Sequence, residues 1–420
     1  MSGLITPPPL RNDCFALPAG VHWTPVDEAL ALLRERLTPV TGSETVHVSR
    51  AMGRVLADDV VAPRANPPLP NTAVDGYGFA GGRPEGPHVL LLSDERAAAG
   101  PRLTSVVPVG QAVRILTGAA LPTGVDTVVL QEDVTVADGQ IAFNGPIKAG
   151  ANTRRAGEDV HKGDVILKAG LRVTAADMAI LAATGVDQVD VRVRLRVAVV
   201  STGDELVEAG ETAKQDQIFD ANRPMLLSMI TAMGHVPVDM GRCADDRAAL
   251  SRVLDDAARK ADVVITSGGA SAGDEDHVSS LLTEVGAMQM WRIAIKPGRP
   301  LALGLWNNTP VFGLPGNPVA AMVCILVFAS PAMAQLAGAG WVAPVGYDVP
   351  ANFTKSKNEG RREYLRARIC DGQVDVFGSE GSGRISGLSW ADGLVELTEE
   401  AQQINKGDLV RYIPLGSYGL

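Results

Sequence analysis

The sequence predicts an α/β protein. Its central domain has an open, mostly parallel sheet wrapped on both faces, with two small β domains and a discontinuous domain of mixed, partly helical character beside it. Three observations lead there. From about Val189 to Leu336, fully apolar strand-like runs alternate with amphipathic helical runs. From Pro67 to about Lys148, and again from Val342, short β-like runs are separated by Gly and Pro. Three loops, Ser201–Glu205, Ser267–Asp274 and Leu314–Pro318, each follow an apolar run. In open α/β sheets ligands bind outside the carboxyl ends of the strands, so these loops are expected to converge on one site.

Taken in chain order, residues 1–22 are Pro-rich at first, lack periodicity and read as a tail. Thr24 is expected as N-cap and Pro25 as first residue of a helix carrying Val26, Ala29, Leu30, Leu33 and Leu37 on one face. A second short helix is expected over Ala51–Leu56, and another from Thr174 to near Gly185. Packed together, segments 23–66 and 149–186 make one discontinuous linking domain, into which 67–148 is inserted as a β domain. Residues 187–338 carry the alternating pattern, with strands at Val197–Val200, Val236–Met240, Val263–Thr266, Met288–Ile295, Leu301–Gly304 and Val311–Gly313. Helices are expected between them and from Val319. Residues 339–420 return to strand patterns and read as the second β domain.

Composition narrows the function. With 420 residues, 46% hydrophobic and 20% charged, this is ordinary globular material with room for roughly two to four domains. A net charge of −10 supplies no overall basic field, which argues against nucleic acid and acidic membranes as partners. Any anionic ligand must be held by local Lys, Arg and backbone N–H groups. The cysteines, Cys14, Cys243, Cys324 and Cys370, form no C-x-x-C pair, and Cys324 lies in an apolar run that suits a buried thiol. That argues against a disulfide framework or zinc site and fits a reducing compartment. No apolar leader is seen at the N-terminus, and a cytoplasmic location is expected. The run Val319–Ala329 is about half the length needed to span a bilayer and reads as a buried core helix.

The chemistry offered is the positioning of anions. In Ser267–Asp274 the glycines let backbone approach a ligand, and a helix start beyond them presents unpaired N–H groups. Gly268, Gly269, Ser271 and Gly273 are the candidate cradle, with Gly316 and Asn317 of Leu314–Pro318 beside it. The latter loop reads equally as a rigid strand-to-helix turn. Asp204, Glu205, Asp274 and Asp276 are hard oxygen ligands suited to magnesium, or else helix caps; as a pair, Glu205 and Asp276 favour function. Arg292, Lys296 and Arg299 surround the stiff Pro297-Gly298 turn and suit phosphate or a compact oxyanion, with Lys296 read as a lone ammonium; a solvated charged turn is the alternative. Asp75-Gly76 is a common turn pair, and Arg154–Asp159 places two cations beside two carboxylates; either stretch could be structural. There is no H-x-x-x-H pair and no G-x-S-x-G elbow, so His-bound zinc and nucleophilic hydrolysis have little support.

Eight words in order resemble the molybdopterin molybdenumtransferase family, which includes bacterial MoeA and the C-terminal domain of gephyrin. They are TAVDGYG (Thr72–Gly78), RILTGA (Arg114–Ala119), RRAGEDV (Arg154–Val160) and STGDEL (Ser201–Leu206). DANR (Asp220–Arg223), SGGASAGDED (Ser267–Asp276), IKPGRP (Ile295–Pro300) and GLPGNPV (Gly313–Val319) follow. The resemblance spans nearly the whole chain. It implies insertion of molybdate into adenylylated molybdopterin with release of AMP, a requirement for magnesium, four domains and an elongated homodimer. The implied partners also include the molybdopterin adenylyltransferase and cofactor-delivery proteins. Implied functional positions are Asp75, Thr117, Asp159, Glu205, Asp245, Asp276 and Lys296, with Ser382 matched less closely and Arg155 lying in a matching word. Glu205, Asp274 and Asp276 would position the metal. Arg292 and Arg299 stand where the family usually has Lys, which keeps charge and changes donor geometry. Asp75 is expected to enter the site from across the dimer. Two other readings stay open: a related α/β enzyme that adenylylates molybdopterin, and a scaffold.

Overall fold

A computed structural model describes residues 23–268, 277–284, 288–291, 293–298, 301–381 and 383–420. They form two compact units, Ser43–Val191 and Arg192–Leu420 together with the residues before Ser43.

In the Ser43–Val191 unit, a six-stranded sheet is ordered Thr127–Leu130, Gly76–Phe79, Gln111–Ile115, Arg83–Ala97, Gln140–Ile147, Thr135–Ala137. Short antiparallel pairings join segments before and after it, Asn71–Thr72 with Thr153–Arg154 and Val60–Val61 with Val165–Leu167. One core cluster likewise mixes both sides, with Val48, Ala51 and Leu56 against Leu167, Val173, Leu181, Val189 and Val191. The helix Ala175–Thr184 starts on a capping box between Thr174 and Asp177 and ends at Gly185, in the left-handed region. No helix forms over Ala51–Leu56. A 3₁₀ turn covers Val48–Arg50, Gly53 takes φ +72°, and the Leu56 N–H donates to the Leu171 carbonyl at 2.9 Å. The left-handed glycine ends the helical turn, and main-chain pairing takes over.

The other unit is built on an open six-stranded sheet. Its order is Val236–Cys243, Arg196–Thr202, Val263–Ser267, Thr309–Leu314, Leu301–Trp306, Met288–Trp291. The first four strands are mutually parallel, and the last two join antiparallel. Alternate residues feed opposite cores. Val197, Val199, Ile265 and Phe312 pack with the helices Asn222–Ala232 and Pro318–Leu336. Ala198, Val200, Val264 and Val311 pack with Arg247–Lys260 and His277–Glu284. Burial on both faces is why these strands read as continuous apolar runs. Pro318–Leu336 is helical throughout, with a π turn at Ile325–Ala329, and so extends beyond the apolar run seen in sequence. At 19 residues it is long and apolar enough to cross a membrane, yet it is mostly buried in the core. Burial pushes the Cys324 thiol there up to about 12.

A second sheet is ordered Ile295–Lys296, Arg362–Cys370, Gly393–Leu397, Leu409–Pro414, Tyr347–Pro350, with Gln373–Val376 added to Arg362–Cys370. The expected strand Met288–Ile295 is therefore two elements in two sheets. The chain leaves the central sheet after Trp291, because Ala294 donates to the Thr24 carbonyl and accepts from the Arg362 N–H, each at 2.8 Å. The same pairing removes Thr24 from capping: Pro25 is the N-cap of helix Val26–Arg36, with no side-chain cap. Arg362 also clamps Asp27 of that helix with two hydrogen bonds of 2.8 and 2.7 Å.

Candidate functional site

Parallel register places the three loops together. Ser201 is level with Ser267, and Ser267 with Leu314, so the three strands end side by side at one edge of the sheet. The loops leaving them line a cleft of about 730 Å³ with Gly203, Glu205, Asp245, Gly268, Lys296, Gly316 and Asn317. The described parts of the three loops therefore meet in one cleft. Asp274, Asp276, Gly269, Ser271, Gly273, Arg292, Arg299 and Ser382 lie outside the described residues.

Buried Asn222 ties the loops to one another. Its Nδ2 donates to Ser267 Oγ and to the Gly316 carbonyl, both at 2.7 Å. Asp220 turns the chain into that helix, accepting from the N–H groups of Asn222 and Arg223 at 3.1 Å each. The DANR word thus holds the cleft floor; it was visible in sequence, but neither Asp220 nor Asn222 stood out as a site residue. Gly268 has φ +92°, and a Cβ there would come within 2.6 Å of the Thr202 carbonyl. Gly316 lies beside it, a Cβ there falling at an ordinary contact distance of 3.6 Å from Gly268 Cα. Asn317 caps the helix behind it, accepting from the Val319 N–H at 3.2 Å.

Glu205 is exposed at the cleft, and its carboxylate engages no described donor. It lies against Gly203, where a Cβ would meet Glu205 Oε2 at 2.5 Å. Asp204 faces another way, accepting from the Asp245 N–H at 3.2 Å. Glu205 and Asp245 therefore present hard oxygen atoms in one cleft, a donor set that fits magnesium when substrate oxygens complete the shell. Among the described residues no group of three or more His, Cys, Asp or Glu side chains is placed to hold a metal by itself.

Lys296 is not a lone ammonium. Its Nζ contacts Glu380 at 2.7 Å and Glu363 at 3.2 Å. Lys355 contacts the same two carboxylates, Glu363 at 3.1 Å and Glu380 closely. Burial works against the charge of Lys355, yet hydrogen bonds and field from Glu380 and Glu363 outweigh it and hold its pKa above the usual lysine range. Burial likewise opposes ionisation of Glu380, but the two ammonium groups hold it below the usual carboxylate range. Lys355, Glu363 and Glu380 carried no local signal in sequence, because strand pairing across the chain assembles them. Phe219, half-exposed at the cleft rim beside Ile218, was also missed.

The other unit gathers a second set. Asp75 Oδ1 accepts from both the N–H and the hydroxyl of Thr117 at 2.6 Å. The Thr117 side-chain bond, then its N–H, hold the Asp75 carboxyl below the usual range. Asp159 is held separately, accepting from Asn66 Nδ2 at 3.0 Å. The Arg155 N–H closes a turn onto Glu158 at 2.9 Å.

Comparison with known proteins supplies the family. Residues 24–185 match the MoeA N-terminal region (domains I and II), 198–335 a probable molybdopterin-binding domain, and 348–415 the MoeA C-terminal region (domain IV). A molybdopterin molybdenumtransferase of Haemophilus influenzae is 35% identical over 93% of this chain and 98% of its own. Molybdopterin molybdenumtransferase 2 of Mycobacterium tuberculosis is 32% identical over 86% and 93% respectively. The crystal structure of a MoeA protein from Pyrococcus horikoshii superposes with a TM-score of 0.82 at 28% identity, covering 93% of this chain and all of that one. Three loops on one sheet edge, eight motifs in order and matching domains along nearly the whole chain place it in the molybdopterin molybdenumtransferase family.

Proposed function

We propose that this chain inserts molybdate into adenylylated molybdopterin and releases AMP, completing the molybdenum cofactor in the cytoplasm. The observation that carries this reading is the cleft itself. It joins glycine backbone at three strand ends, a carboxylate without a described donor and an ammonium group. The soft dithiolene ligands for molybdenum belong to the substrate, so the protein needs no Cys or His toward the metal. Its own task is to hold a phosphoanhydride and bring a small oxyanion to it. Gly268 and Gly316 let backbone approach the phosphates, and Asn222 keeps their loops in register. Glu205 and Asp245 orient the phosphate-bearing end, with Asp274 and Asp276 as further candidates; together they would hold magnesium. Magnesium, when bound, neutralises phosphoanhydride oxygens. Lys296, with Arg292 and Arg299, attracts the oxyanion. The direct test is incubation with adenylylated molybdopterin, molybdate and magnesium. AMP release dependent on molybdate and lost with EDTA is expected; ATP consumption in a parallel incubation with molybdopterin and ATP would favour the adenylylating alternative.

The reading includes a homodimer with mixed sites, Asp75 and Thr117 coming from one subunit and Glu205 from its partner. Asp75→Ala and Glu205→Ala chains, each inactive alone, are expected to regain partial activity when allowed to exchange subunits, since one mixed site per heterodimer stays intact. No recovery in demonstrated heterodimers would put both residues in one chain's site. Pull-down from cell extract tests the adenylyltransferase and cofactor-delivery proteins as partners.

A further inference from the structure

The cleft proposed to take anions already holds one of its own. Glu380 places its carboxylate between the ammonium groups of Lys296 and Lys355, and it lines both the main cleft and an adjoining cavity of about 250 Å³. Two lysines here face two carboxylates, Glu363 and Glu380. Lys357 adds its positive field to the same cluster, felt by Glu363, Lys296 and Lys355. Lys357 donates to the carbonyls of Asn358 and Glu400 at 2.9 and 3.0 Å. Arg366 donates to the carbonyls of Arg384, Ser379 and Gly381.

The two carboxylates are held differently. Glu363 belongs to a strand paired on both sides, and its side chain is 10% exposed. Glu380 is on an irregular segment, and its side chain is 49% exposed. Arg366 fixes the main chain on either side of it, so the Glu380 side chain can rotate toward solvent without moving the loop. The movable member of the cluster is therefore an anion in the place where an oxyanion substrate would meet both lysines.

We propose that Glu380 is an internal counter-anion that must leave the Lys296–Lys355 pair before the tetrahedral oxyanion binds, and so sets the oxyanion concentration the protein requires. This rests on the molybdate-insertion reading. While Glu380 is seated, the lysines keep their charge and geometry, but its carboxylate offsets part of their attraction for a second anion. When a dianion arrives, it competes with a single tethered carboxylate, so binding is weakened without being blocked.

The test uses the full chain and titrates sodium molybdate by calorimetry into wild type, Glu380→Gln and Glu380→Asp. The glutamine variant keeps the shape and loses the charge. It is expected to bind molybdate about tenfold more tightly, the scale of two ion pairs to one half-exposed carboxylate released together. The aspartate variant keeps the charge and is expected to stay near wild type. Unchanged or weaker binding by Glu380→Gln would overturn the proposal, as would equal tightening by Glu380→Asp, which would exclude charge as the cause. The half-saturating molybdate concentration for AMP release is measured alongside. Wild type that releases AMP while Glu380→Gln shows no shift removes only the Glu380 role; wild type that fails to release AMP removes the insertion reading.

Discussion

Glu205→Ala is expected to lower molybdate-dependent AMP release by on the order of 10³-fold, the scale of removing one preorganised electrostatic group from a reacting site. The fold should be indifferent. Glu205 is exposed, its carboxylate engages no described donor, and such surface changes usually shift stability by no more than about 0.5 kcal/mol. Glu205 lies against Gly203, whose φ of +145° favours glycine. Glu205→Gln, which keeps the shape, should be nearly as inactive if charge is what matters. Activity assays beside melting curves decide this, and a Glu205→Ala protein with full activity would remove Glu205 from the site.

Gly268→Ala is expected to impair both function and stability, and for a different reason. At φ +92° a Cβ costs roughly 1–2 kcal/mol in backbone strain alone. The added methyl would also press to 2.6 Å from the Thr202 carbonyl and 2.8 Å from Thr202 Oγ1, and overpacking of this kind typically costs about 1–3 kcal/mol. Relief requires the loop to move away from the strand end, which would separate Gly268 from Gly316 in the proposed anion cradle. A lowered melting temperature together with weakened AMP binding is the expected pair of results. Wild-type behaviour in both would show that the loop has room the geometry denies it.

The two predictions differ in how far sequence could reach them. Glu205 and Gly268 each sit in a short local word at the end of an apolar run, so both were legible from the chain. Strands buried on both faces leave continuous apolar runs, and a left-handed turn favours glycine; neither depends on distant residues. For the same reason the central sheet, its helices and the convergence of three loops were readable in advance. Thr24 and Ala51–Leu56 were misread because local capping and helix propensity lost to pairing with Ala294 and Leu171, partners far along the chain.

Lys296 shows the boundary between the two kinds of information. Its place on a stiff turn after an apolar run followed from the sequence of IKPGRP alone. Its partners did not. Main-chain pairing draws Ile295–Lys296 out of the central sheet and beside Arg362–Glu363, which delivers Glu363 to the ammonium; the segment after Gln373–Val376 brings Glu380, and Lys355 completes the cluster. The amino-acid order by itself determined the element types, the glycine turns and the family words, because these express forces acting between near neighbours. Which charges meet across 67 and 84 residues of separation was decided only by tertiary structure, because strand register and sheet exchange are cooperative properties of the whole fold.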